Sequence, residues 1–212
     1  MAALDLQEQE QIDALKAWWK ENGTRLLGLL LAVAVVFAGW RGWQYYQHQQ
    51  SGEAATLYAG FIKQLESGDI KRVNDAAAAV MNNYPSTAYA TRAALLAAQI
   101  NEQGIDVARA KTQLRWVIDH AVEPGLKEVA RLRLAAVLLD EKNYDGALNL
   151  LETKHPASFD GLYADLKGDT LGAQGKVAEA KAAYQLAYDK TDAKSTYRNL
   201  IQMKMDALGE PK

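Results

Sequence analysis

Residues 166–187 read LKGDTLGAQGKVAEAKAAYQLA, and the spacing of small and large residues within them decides the fold. Gly168 is followed twelve positions later by Ala180, four further on by the bulky Tyr184 and three beyond that by Ala187. Small residues let two helices approach closely, and the large one fills the groove beside them. Ala173-Gln174-Gly175-Lys176 breaks the stretch in the middle, so it reads as two helices folded back on each other. Working outward, the same order recurs at Ala98, Ala110 and Leu114, and again at Ala135, Ala147 and Leu151. Three more polar turns accompany it, at Glu66-Ser67-Gly68-Asp69, Glu102-Gln103-Gly104-Ile105 and Glu141-Lys142-Asn143-Tyr144. The third residue of each turn is Gly or Asn, which tolerate the left-handed conformation that closes a helix, and these residues recur 36, 39 and 32 positions apart. Pro85, Pro124 and Pro156 fall between the turns and separate one hairpin from the next, because proline disrupts a helix interior.

From Gln47 onward there is no strand alternation of useful length and β-branched runs are scarce, so the body is expected to be all-α. A period of about 34 residues with this small, alanine, bulky order resembles the tetratricopeptide repeat, a helix-turn-helix unit that stacks into a solenoid. The first hairpin, from Tyr58 to Tyr84, keeps the pattern poorly and carries an alanine run at Ala76–Ala79, as terminal units that cap a stack often do. Thr196 to Leu208 is expected as one more helix closing the apolar end. An irregular helical bundle is the competing arrangement.

Composition narrows the function. The 212 residues fit one domain of about 150 residues plus an appendage. Apolar residues at 49% and charged residues at 24% suffice for a core. Lys plus Arg number 24 against 26 Asp plus Glu, so the net charge of -2 lacks the positive field that nucleic-acid binding needs. With no cysteine there is no disulfide, thiol nucleophile or thiolate metal site.

The appendage is Leu26–Trp40, LLGLLLAVAVVFAGW, fifteen uncharged residues between Arg25 and Arg41. A hydrocarbon layer roughly 30 Å thick asks for about 20 helical residues, so the expected span takes in its flanks, from Gly23 to Trp43. Arginine stems snorkel toward headgroups, and Trp18, Trp19, Trp40, Trp43, Tyr45 and Tyr46 stand where interfacial aromatic belts belong. Arg25, Trp40, Arg41 and Trp43 are therefore the expected anchor residues. Two other readings compete. A buried core helix lacks arginines and aromatics at both ends. A cleaved signal peptide has a short basic leader, whereas 25 residues carrying Asp5, Glu8, Glu10, Asp13 and Glu21 precede this run. Lys16, Lys20 and Arg25 before the span, against Arg41 alone until Lys63, place the N-terminus in the cytoplasm. The expected organisation is a cytoplasmic segment over 1–22, a transmembrane helix over 23–43 and a translocated domain over 44–212.

Chemistry is not signalled. His48, His120 and His155 form no metal pairing, and no GxxxxGK[ST], GxGxxG or GxSxG occurs, so neither a cofactor nor a catalytic residue is assigned. Solenoids commonly bind extended partners along the face made by their first helices. In the central unit that face is Val129, Leu132, Ala136 and Leu139, an apolar stripe at helical spacing. The equivalent positions are Arg92, Leu95, Gln99 and Glu102 before it and Leu162, Asp165, Asp169 and Gly172 after it. An apolar centre with a mixed-charge rim suits protein segments, and the alternative is that the stripe is simply core. Arg92, Gln99, Val129, Leu132, Ala136, Leu139, Asp165 and Asp169 are the expected partner-binding residues.

Several longer stretches carry a family resemblance. Gln11-Ile12-Asp13-Ala14-Leu15-Lys16-Ala17-Trp18-Trp19-Lys20-Glu21-Asn22-Gly23, Gly39-Trp40-Arg41, Ala164-Asp165-Leu166-Lys167-Gly168-Asp169 and Gln202-Met203-Lys204-Met205-Asp206-Ala207-Leu208 resemble the ancillary subunit family of the bacterial SecYEG translocon, the YfgM family. The resemblance implies a single-pass inner-membrane protein with a periplasmic tetratricopeptide-like domain. It implies association with SecYEG and with the periplasmic chaperone PpiD, and a link to the response regulator RcsB. The implied role is non-enzymatic help to proteins emerging from the channel. A tethered adaptor for another envelope or division complex, and a hydrolase with an unusual site, are the other classes; self-association is left open.

Overall fold

The computed structural model describes residues 2–209. Among these residues the chain is all-α, with nine α-helices and no strand. They are α1 (Ala2–Ser67), α2 (Ile70–Asn83), α3 (Ala88–Ile100), α4 (Val107–His120), α5 (Pro124–Asp140), α6 (Tyr144–Leu151), α7 (Asp160–Ala173), α8 (Val177–Lys190) and α9 (Tyr197–Ala207). The chain divides into two units, residues 1–50 and 51–212. The segment expected to span the membrane, 23–43, lies inside α1, which runs from Ala2 to Ser67.

Within the second unit the chain forms successive hairpins: α1's last turns pack on α2 through Phe61, Val73, Ala77 and Val80, then come α3 with α4, α5 with α6 and α7 with α8, followed by α9. Each start has a local cause. Asp69, Thr87, Asp106 and Asn143 cap α2, α3, α4 and α6 by accepting from Arg72 N, Ala90 N, Arg109 N and Gly146 N, which satisfies otherwise orphaned amides. Pro124 opens α5, where its missing N–H costs nothing.

The turns follow the expectation in part. Gly68 and Gly175 adopt the left-handed conformation, at φ 70 and 78. Asn143 does not: the left-handed residue of the third turn is Lys142, at φ 60, and Asn143 at φ -84 is already the cap of α6. The second turn is a π-helical turn, Asn101–Ile105. It lies beside a buried cluster of carboxamides. Asn101 donates to Asn74 Oδ1 at 2.8 Å and to Gln113 Oε1 at 2.9 Å, and Gln113 donates to Asn74 Oδ1 at 3.1 Å. The cluster ties α2, the end of α3 and α4 together inside an alanine-rich core.

The crossings are as tight as the pattern demands. Ala98, Ala110 and Leu114 are wholly buried, as are Ala135 and Ala147, with Leu151 nearly so. At Gly168 a Cβ would stand 2.5 Å from the Tyr184 ring, so only glycine lets α7 and α8 approach this closely. The first hairpin departs from the pattern because Phe61, a large residue, is wholly buried against Val73, Ala77 and Val80. α9 closes the last hairpin with Ile201 wholly buried among Ala180, Ala183, Tyr184 and Ala187.

Candidate partner-binding face

Val129, Leu132, Ala136 and Leu139 lie along one face of α5 at offsets of 3, 7 and 10, and none of them is fully buried. The opposite side of the helix carries the core residues Ala130, Leu134, Ala135, Val137 and Leu138. Leu132 is partly buried and packs against the central core cluster, and Val129 is the exposed member of the four, so the stripe is part core and part surface. In α3, Arg92 and Gln99 are exposed, while Leu95 is buried. Arg92 donates to Glu123 at 3.1 Å, with both side chains nearly half exposed. These six residues belong to two neighbouring first helices joined by Arg133, which donates to Leu95 O at 3.2 Å and to Glu102 at 2.7 Å.

Asp165 and Asp169 are placed differently. Both occupy the positions in α7 that Leu132 and Ala136 occupy in α5, but α9 reaches them. Lys204 donates to Asp165 Oδ2 and to Asp169 Oδ2, each at 2.8 Å; Tyr197 donates to Asp165 Oδ2 at 2.7 Å, and Tyr184 to Asp169 Oδ1 at 2.7 Å. Asp165 is buried, and its Oδ1 has no hydrogen-bond partner among the described residues. Neither carboxylate is a free rim charge.

This clamp shifts its donors in one direction. Burial pulls Lys204 down, but hydrogen bonds and the charges of Asp165 and Asp169 outweigh it and hold the ammonium above its ordinary range. Burial and the acceptor Asp169 raise Tyr184, and burial and Asp165 raise Tyr197. A second knot joins α5 to α7: Tyr163 donates to Glu128, which also takes Arg131. Burial and then Glu128 push Tyr163 up to about 12, against the opposing pull of Arg131.

Successive first helices are therefore joined by polar bridges, α3 to α5 through Arg133, α5 to α7 through Tyr163 and α7 to α9 through Lys204 and Tyr197. Their sequence separations run from 31 to 39 residues, about one repeat. Sequence reasoning missed them; opposite charges one repeat apart are the signal that could have found them. Two of the histidines stack on aromatic rings. His120 stacks on Trp116 with ring centroids 4.5 Å apart, and His155 stacks on Tyr163 at 3.8 Å with Asp160 3.4 Å from its Nε2.

In the first unit, every side chain from Leu27 to Trp43 is exposed, among them Leu31 at 70% and Val36 at 73%. A Cβ added at Gly28, Gly39 or Gly42 would meet no atom within 4 Å, so nothing among the described residues covers this stretch. Arg25 and Arg41 bracket its uncharged part, and Trp40 and Trp43 are exposed near its end. It is the candidate membrane span among the described residues.

The hairpins and their glycine and alanine crossings define a tetratricopeptide-like helical repeat protein, and the tetratricopeptide repeat-like domain family matches residues 16–210. The chain is 34% identical to a Neisseria gonorrhoeae protein named ancillary SecYEG translocon subunit, over 97% of this chain and 99% of that one. Proteins of the same name from Haemophilus influenzae and Escherichia coli are 30% and 28% identical, covering 97% and 95% of this chain and 100% and 96% of theirs. The chain belongs to the ancillary SecYEG translocon subunit family.

Proposed function

We propose that the protein is a non-enzymatic, membrane-anchored partner of the SecYEG translocon in the bacterial inner membrane. Residues 1–22 are cytoplasmic, 23–43 cross the bilayer, and the rest of the chain is periplasmic. The near full-length similarity to proteins named for that role carries the reading. The bare apolar stretch of α1 supports the anchor: twenty-one residues at about 1.5 Å each reach roughly 32 Å, enough for the hydrocarbon layer. Tethering raises the effective concentration of the repeats beside the channel without any new contact.

The repeats then act as a holding surface for proteins emerging from the channel. Val129, Leu132, Ala136 and Leu139 supply its apolar centre, and Arg92 and Gln99 its polar edge. PpiD is the chaperone partner in this reading, and RcsB the partner of the cytoplasmic arm. Affinity purification of the full chain from solubilised membranes tests it. Recovery of SecYEG and PpiD supports the assignment, whereas recovery of cell-wall machinery without them supports the adaptor alternative. Protease applied to intact spheroplasts should remove the repeats; survival of that mass refutes the orientation.

A further inference from the structure

The carboxylates of α7 stand on the face proposed to receive a partner, yet they are already occupied from within. We propose that α9 is an intramolecular stand-in for a bound polypeptide: Lys204 and Tyr197 hold Asp165 and Asp169 as a partner's basic residue would, and an arginine-bearing segment competes with α9 for them. The inference rests on the reading of the first-helix face as the binding surface.

Three observations carry it. Asp165 and Asp169 sit at the same distances from Gly168 as Leu132 and Ala136 do from Ala135, so they are the third hairpin's share of that face. The occupancy is incomplete. Both donors to Asp165 converge on Oδ2, and the buried Oδ1 is unpartnered among the described residues. Lys204 is a point donor and leaves that oxygen bare, whereas a planar guanidinium engages both oxygens of one carboxylate. The hold on α9 rests on few side chains. Ile201 is its wholly buried side chain among the described residues, Tyr197, Met205 and Leu208 pack partly buried beside it, Leu200 and Met203 are exposed, and an open groove of about 720 Å³ lined by Lys181, Gln185, Gln202 and Met205 runs along α8 and α9. Lys204 and Asp169 remain about a quarter exposed, so a competing cation can approach from solvent.

The test uses the full chain in phosphatidylcholine nanodiscs and three fluorescein-labelled twelve-residue peptides of alternating Leu and Ala with Arg, Lys or Gln at every third position. In the wild-type protein, saturating Arg peptide should speed hydrogen exchange of amides 197–207 and leave α5 unchanged. Ile201→Ala, which loosens α9 without touching the carboxylates, should tighten Arg-peptide binding about tenfold by populating the competent state, and leave Gln-peptide binding unchanged. Asp169→Asn in that background should abolish the preference for Arg. Equal binding of the Arg and Gln peptides to Ile201→Ala, or unaltered exchange of 197–207 in the wild type, overturns the proposal. If Leu132→Asp abolishes binding of all peptides while Arg preference is absent, the groove reading stands and this inference falls. Failure of every peptide to bind any variant overturns both.

Discussion

Gly168→Ala puts one carbon where α7 and α8 have no room for it. The added Cβ would lie 2.5 Å from Cδ1 and Cε1 of Tyr184, more than 1 Å inside ordinary contact. The ring cannot slide away cheaply: Tyr184 is buried, and its hydroxyl is fixed to Asp169 at 2.7 Å. Overpacking of this kind costs about 1–3 kcal/mol, and a locked aromatic belongs at the upper end. Alanine returns about 1 kcal/mol through helix propensity, which leaves a net loss of about 2 kcal/mol. For a domain of this size that corresponds to a Tm lower by roughly 4–8 °C. Urea unfolding of the full chain in detergent, followed by circular dichroism, measures it. Gly60→Ala is the control, because no atom lies within 4 Å of its Cβ position on α1, and it should stabilise by about 0.5–1 kcal/mol. Adding Tyr184→Leu to Gly168→Ala should reveal a coupling of at least about 1 kcal/mol. A Gly168→Ala protein as stable as the wild type would refute the close-crossing account of the repeat.

Raised folded-state pKa values of Tyr163, Tyr184, Tyr197 and Lys204 mean that the native state holds these protons more tightly than the unfolded chain. Their contribution is complete below the unfolded values and drains as pH climbs past about 10, at up to about 1.4 kcal/mol per pH unit for each group. Stability should be flat from pH 7 to about 9.5, and tyrosinate absorbance from these three rings should appear only with unfolding; a gradual, fully reversible titration of all tyrosines in the native state contradicts this. Asn101→Ala strands Asn74 and Gln113 in the core and should cost about 2–3 kcal/mol by urea denaturation, with a loss under 0.5 kcal/mol counting against the buried cluster. Arg92→Ala breaks a half-exposed ion pair and should change stability by less than about 1 kcal/mol, while Leu132→Asp should sharply reduce recovery of periplasmic partners; intact recovery with native circular dichroism removes Leu132 from the binding face.

Helix identity and order were legible because the crossings are chemically extreme. A glycine or alanine twelve residues before another alanine leaves few alternatives to an antiparallel helix pair, and Gly168, Ala180 and Tyr184 meet as that spacing requires. Turn detail was less legible. Asn143 and Lys142 share the third turn, and which takes the left-handed conformation depends on the capping bond from Gly146 N to Asn143, a local contest that composition does not decide. The first hairpin was legible only as a degenerate unit because Phe61 occupies a place where the other hairpins carry small residues, compensated by the alanines of α2. For the face, helical offsets located Val129, Leu132, Ala136 and Leu139 on one side of α5, but they could not show that Asp165 and Asp169 are engaged. That depends on Lys204 and Tyr197, more than thirty residues away, and on the docking of a helix whose partner no local pattern names.

The order in which this solenoid opens follows from the same packing. In a stack of repeats each unit is held by its neighbours, so an end unit has half the support of an internal one. The contrast is steep here: α3 buries Ala90, Thr91, Ala93, Ala94, Leu95, Ala97 and Ala98, whereas α9 buries Ile201. An isolated helix of eleven residues is marginal in water, so α9 released from α7 and α8 unfolds rather than swinging free as a rigid arm. Its amides should therefore exchange through a local opening that costs less than global unfolding, while those of α3, α4 and α5 exchange last. Such an order makes the availability of the Asp165 and Asp169 pair depend on a conformational equilibrium, whereas the half-buried Leu132, packed against the central core cluster, does not depend on α9. Hydrogen exchange that protects 197–207 as strongly as 130–138 would show that α9 is an integral part of the stack and that no such division exists.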